Sequence, residues 1–200
     1  MRKKRNKAVI LICILCALAA AGGLRLWGML PQKDIIQTDA LPREFKIDTN
    51  RNDIDYQIGD ACSAYASAFV MRHLGKQVTG PELYHDIHRI FGFVPVHQVV
   101  SLFQNYGYHA EAYHGDMDTM KERLSDGVPV IAFVSIPGDT HYTVVVGYDE
   151  NFVYLADSIS DDSNADGDWY NRKLSVREFE DIWATNMYPV KNIYIVVSPQ

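Results

Sequence analysis

Cysteine is scarce in this 200-residue chain, and so is positive charge beyond its first thirty residues. Of the three cysteines, Cys13 and Cys16 fall inside an apolar run, so only Cys62 is left to the folded part. One cysteine excludes a disulfide framework. Six of the 19 Lys/Arg residues and none of the 25 Asp/Glu residues lie in residues 1–30, which leaves the remainder with a formal charge of about −12. Such a surface repels phosphate backbones, and nucleic acid is not expected as a partner. There is no internal repeat and no low-complexity tract.

Long apolar runs are also few. Residues 8–23 form an uninterrupted apolar or small-residue stretch of sixteen, short for a membrane span, behind the basic leader Met1–Lys7. That pattern suits a signal peptide, with Ala17-Leu18-Ala19 as the cleavage site. Leu26, Trp27, Met29 and Leu30 extend it past Arg25, so an uncleaved anchor of about twenty residues is an equal alternative. Either way the basic flank stays inside. The chain is expected to be secreted, or held at the cell membrane with its domain facing outside. Cys16 does not read as a lipoprotein cysteine, because Cys13-Ile14-Leu15 precedes it rather than small residues. The expected organisation is a signal or anchor over 1–30, a tether over 31–55 and one folded domain over 56–200.

Within that domain the first signal is Gly59–Gly75. Tyr65, Phe69, Val70, Met71 and Leu74 recur at helical spacing, and Gly75 stands where a helix ends in a left-handed residue. Cys62 then opens the helix, where the macrodipole and free N–H groups favour a thiolate. Thr79-Gly80-Pro81-Glu82 is a capping box starting a helix to about Ile90. Further helices are predicted over Val96–Asn105 and Asp118–Ser125. Short strands are predicted around Phe45–Ile47 and over Tyr108–Tyr113. The texture changes at Val128–Ile136, Tyr142–Tyr148 and Phe152–Ala156, which read as strands. Ser175-Val176-Arg177-Glu178 caps a helix to Trp183, and Asn192–Val197 reads as a last strand. Helices first and antiparallel strands second give an α+β domain.

A thiol nucleophile needs a base, and the base needs an orienting group. Six of the seven histidines (73, 85, 88, 97, 109 and 114) sit on helix faces or beside a short strand and read as surface or structural. His141 instead stands where a loop enters an apolar strand. Asp157 ends the next strand, and two strands joined by a tight turn are antiparallel, so its carboxylate falls beside the His141 ring. Gln57, five residues before Cys62, is a candidate second donor, with the Cys62 N–H, to an oxyanion at the sulfur.

In the order Cys62, His141, Asp157, with helix before sheet, the chain resembles papain-like cysteine peptidases. It looks most like the bacteriocin-processing, double-glycine leader peptidases and their stand-alone relatives. The matching text is Gly59–Ala64, Gly127–Ala132, His141–Tyr148, Leu155–Ser158 and Glu178–Trp183, so the similarity spans roughly residues 50–200. It implies a papain-like fold, N-terminal helices on a C-terminal antiparallel sheet, with nucleophile Cys62, base His141, orienting Asp157 and an oxyanion-hole glutamine. The sequence departs from the family pattern at Ser63, where Gly is usual, and at Ser158, where Pro is usual. The usual glutamine position holds Tyr56, with Gln57 one residue nearer.

The expected activity is thiol-dependent cleavage of peptide bonds in a peptide or protein substrate. An inactive peptide-binding domain and a transglutaminase-like acyl transferase share the same pattern. No cofactor is expected. Asp162-Ser163-Asn164-Ala165-Asp166-Gly167 matches half of a calcium loop, but Lys173 stands where a bidentate Glu belongs. That stretch is therefore expected to be a solvated acidic loop and not a metal site.

Overall fold

The computed structural model describes residues 29–38, 40–48, 52–165, 167 and 169–200. The proposed signal or anchor thus lies almost wholly outside the described residues. Among the described residues no helix is long and apolar enough to cross a membrane.

Strands β1 (Gln32–Lys33), β2 (Phe45–Lys46), β3 (Tyr108–His114), β4 (Val130–Ile136), β5 (Asp139–Tyr148), β6 (Phe152–Ala156), β7 (Arg172–Ser175) and β8 (Ile193–Pro199) form one sheet. Its order is β1-β3-β8-β4-β5-β6-β7, with β2 added against β5. All pairings are antiparallel except β1 with β3. The helices are α1 (Cys62–His73), α2 (Gly80–Asp86), α3 (Val96–Asn105), α4 (Met117–Ser125) and α5 (Val176–Trp183).

The sheet is covered on both faces. Alternate residues of β4 divide the core in two: Ile131 and Phe133 join Phe69, Val70, Val99 and Phe103 from α1 and α3. Val130, Ala132 and Val134 join Met120 and Leu124 of α4 and Phe179 and Trp183 of α5. This period-two division is what a strand buried on both faces produces. The α+β arrangement stands, with the later helices as a second covering layer behind the sheet.

Among the described helices α1 has the most buried residues. Every residue from Ser63 to Met71 is buried, so it has no polar face and lies between α2, α3 and the sheet. It ends at Gly75 with φ +89°, as expected. The capping boxes at Thr79/Glu82 and Ser175/Glu178 are both formed. A third, at Asp116/Thr119, starts α4 one residue earlier than predicted.

Two pieces of the stretch expected as a tether join the sheet, Gln32–Lys33 as β1 and Phe45–Lys46 as β2. Asp34 is buried, and Arg123 reaches it through Nε at 2.8 Å and Nη2 at 2.5 Å, with the Tyr194 hydroxyl donating at 2.5 Å. Burial raises the Asp34 pKa, but these hydrogen bonds outweigh it and hold it below the usual value. β2 crosses so close to Gly147 that a Cβ there would lie 2.6 Å from the Phe45 carbonyl, which explains the glycine.

Candidate active site

Cys62 is the first residue of α1, at the mouth of a cleft of about 270 Å³ between that helix and the β4–β5 hairpin. It is a free thiol and partly exposed. His141 lies within β5, because that strand begins at Asp139, three residues before the predicted start at Tyr142. Its side chain is buried, yet the ring forms part of the cleft wall.

The β5–β6 hairpin sets Ala156 opposite Val144, which brings Asp157 against Thr143 and the nearby His141. His141 Nε2 donates to Asp157 Oδ1 at 2.8 Å. Cys62 and the His141 ring line the same cleft, and the nearby sulfur acts to raise the imidazole pKa. Burial acts to lower the His141 pKa. The hydrogen bonds and charges of Asp157 and Cys62 outweigh it and lift the imidazole to about 9.

Asp157 is fully buried, and its carboxylate takes four donors. His141 and the Ile159 N–H (3.0 Å) meet Oδ1, while the Thr143 hydroxyl (3.1 Å) and Arg172 Nη1 (2.9 Å) meet Oδ2. Burial pushes its pKa up, but His141, the Ile159 N–H and Arg172 together bring it down to about 2. Asn171 clamps the backbone, accepting from the Asp157 N–H at 2.8 Å and donating to its carbonyl at 2.7 Å.

Thr143, Asn171 and Arg172 join the site without a signal in the sequence analysis above. For Thr143 the signal exists, since a residue two along a strand shares a face with His141. The other two sit on or beside β7, a short charged strand without apolar alternation.

Gln57 lines the same cleft as Cys62. Its Nε2 donates to the Gly59 carbonyl at 2.7 Å, and its Oε1 accepts from the Ser158 hydroxyl at 2.7 Å. One amide hydrogen is therefore spent on the turn before α1, and one remains for the cleft. Tyr56 is exposed, its hydroxyl 3.4 Å from that of Ser163.

The loop with the half calcium pattern is spoken for by protein. Asp162 pairs with Arg172 at 2.9 Å, and Asn164 makes two hydrogen bonds to the Lys173 backbone. Asp166 lies outside the described residues. Among the described residues no cluster of three metal-ligating side chains occurs.

A helix presenting a cysteine at its first turn, against a sheet presenting a histidine held by an aspartate, is the fold of papain-like cysteine peptidases. Within that class the chain belongs to the Peptidase_C39 like family, whose model matches residues 38–189. Solved structures agree at the level of the fold. The peptidase domain of Streptococcus ComA, a bifunctional ABC transporter of a quorum-sensing pathway, is 19% identical with a TM-score of 0.62, over 75% of this chain and 100% of that domain. A C39-like protein of Bacillus anthracis is 17% identical with a TM-score of 0.60, over 78% of this chain and 100% of that one. A double-glycine-motif protease from an AMS/PCAT transporter, solved with its leader peptide, is 17% identical with a TM-score of 0.55, over 76% and 94% of the two chains. No curated protein matches the sequence.

Proposed function

We propose that this C39-like family member is an active thiol peptidase whose Cys62, His141 and Asp157 form a catalytic triad. The observation that carries the reading is the His141 ring, held by Asp157 at 2.8 Å and lining the same cleft as Cys62. A His141 pKa of about 9 favours the imidazolium at neutral pH, the form that can give its proton to a leaving amine. The thiolate attacks a peptide carbonyl. The Cys62 N–H and the remaining Gln57 amide hydrogen stabilise the oxyanion, and His141 protonates the departing amine. Water then adds to the thioester with the now neutral His141 as base, releasing the acid and restoring Cys62.

A specific observation favours a second reading, a peptide-binding domain without turnover: Gln57 Nε2 is directed at Gly59. The two separate in one experiment. Wild-type chain and Cys62→Ala are incubated with a denatured-protein digest, and new amino termini are counted by mass spectrometry. Termini that appear with wild type alone support the peptidase. Their absence, with Cys62 alkylated by iodoacetamide no faster than a free thiol at pH 6, sinks it. A third outcome, capture of an added amine instead of water, would mark an acyl transferase.

The basic leader and apolar run of residues 1–30 support export, with the domain outside the membrane or secreted. The substrates are accordingly extracytoplasmic peptides or proteins.

A further inference from the structure

The cleft is overhung by two tight hairpins. One is the β4–β5 turn, which pairs Ile136 with Asp139 across Pro137-Gly138. The other lies between α2 and α3, where Ile90 and Phe93 exchange both backbone hydrogen bonds (2.8 and 3.0 Å) and leave Phe91-Gly92 as the loop. Both loop residues have positive φ, 51° for Phe91 and 87° for Gly92, the conformation of a two-residue turn that Asn-Gly or Gly-Gly normally fills. Phenylalanine is among the residues least suited to it.

The base of this second hairpin is fixed. The Phe93 ring meets that of Phe133, and the Tyr142 hydroxyl donates to the Val94 carbonyl at 2.7 Å. Phe91 is fully exposed, at 107% relative accessibility, yet it lines the cleft that contains Cys62. An aromatic ring kept in water, on a backbone that disfavours it and beside a nucleophile, has no folding role to account for it.

Charge points the same way. Besides His141 and the Tyr142 phenol, the ionisable side chains that line the cleft alongside the thiol are Asp60 and Asp139, and neither forms an ion pair among the described residues. Ser63 Oγ, next to the nucleophile and also in the cleft wall, is buried without a hydrogen-bond partner.

We infer that the Phe91 tip grips substrate, and that the cleft selects peptides in which an apolar side chain stands beside a Lys or Arg. Phe91 and Ile136 hold the apolar group, while Asp60 and Asp139 face the cation. This rests on the peptidase reading for its consequence, but its test is a binding measurement that needs no chemistry.

The full-length Cys62→Ala chain is titrated against three fluorescein-labelled Gly/Ser decapeptides by anisotropy. Their central residues are Leu-Lys-Leu-Lys, Leu-Glu-Leu-Glu or Gly-Lys-Gly-Lys. The first should bind at least about tenfold tighter than either other, a difference within reach of one apolar contact or one charge pair. Asp60→Asn with Asp139→Asn should abolish the preference for Lys over Glu. Phe91→Gly, which suits the turn, should abolish the preference for Leu over Gly. Equal binding of all three peptides, no binding of any, or preferences that survive these substitutions would overturn the inference. The wild-type chain is then assayed for cleavage of the same peptides. Selective binding without cleavage leaves the inference standing and sinks the peptidase reading, whereas unselective cleavage does the reverse.

Discussion

The Ser158 hydroxyl donates to Gln57 Oε1 at 2.7 Å, and the Gln57 N–H reaches back to the Ser158 carbonyl at 2.8 Å. These are two of the positions at which the sequence departs from the family pattern, and here they hold each other. A proline after Asp157 could not donate; serine can, and the bond fixes which way the displaced glutamine presents its amide. Gln57→Ala should therefore lower kcat by about 10²–10³ with a smaller change in KM, as for loss of one oxyanion donor. Ser158→Ala should have a milder effect of the same kind, with a stability loss of about 1 kcal/mol by denaturant titration. Unchanged kcat in Gln57→Ala would leave the glutamine as a brace for the turn at Gly59.

Asp157→Asn keeps the side-chain shape but removes the charge that stabilises the imidazolium. The rate should fall by about 10²–10⁴ while the far-UV circular dichroism stays native. A full rate would mean that another group orients His141.

Arg172 acts through Asp157. Removing it in Arg172→Ala leaves Asp157 Oδ2 with the Thr143 hydroxyl as its remaining partner, so the Asp157 pKa should rise from about 2 toward its ordinary value. The acid limb of the pH–rate profile should move upward accordingly, with partial recovery in Arg172→Lys. An acid limb that stays put would reduce Arg172 to a surface anchor for Asp162.

Stability should depend on pH through the same pair. The folded-state pKa of His141 is raised from 6.5 to about 9, so its contribution is complete below 6.5 and lost as pH rises through about 9. That of Asp157 is lowered from 3.8 to about 2, so its contribution is complete above 3.8 and lost as pH falls through about 2. The stabilising plateau lies between 3.8 and 6.5. Urea midpoints should fall from pH 6.5 to 9 in wild type and much less in His141→Ala; parallel curves would count against the raised pKa.

The parts legible in the sequence were those with a local cause. The apolar period set α3 at Val96–Asn105, and Ser175/Glu178 set α5 at Val176–Trp183, both as expected. Asp157 falls beside His141 for a local reason too, because antiparallel pairing needs only the turn between β5 and β6. What escaped notice depends on partners far along the chain. Asp34 looked like tether because its partners, Arg123 and Tyr194, lie 89 and 160 residues away. β7 escaped because Arg172-Lys173 occupies an edge strand, where charge is usual and alternation absent. Phe91 had no period to belong to.

The enclosure of α1 bears on how mutational data from this protein should be read. Nine consecutive buried residues follow Cys62, several of them alanine or serine. A saturation scan scored by activity will show Ser63–Met71 as an unbroken band of intolerance, although only the residues at its cleft end approach a substrate. Abundance, scored in parallel, should collapse for the same substitutions and remain normal for Cys62→Ala. Sensitivity along this helix therefore maps the mounting of the nucleophile, and only its divergence from abundance identifies the chemistry.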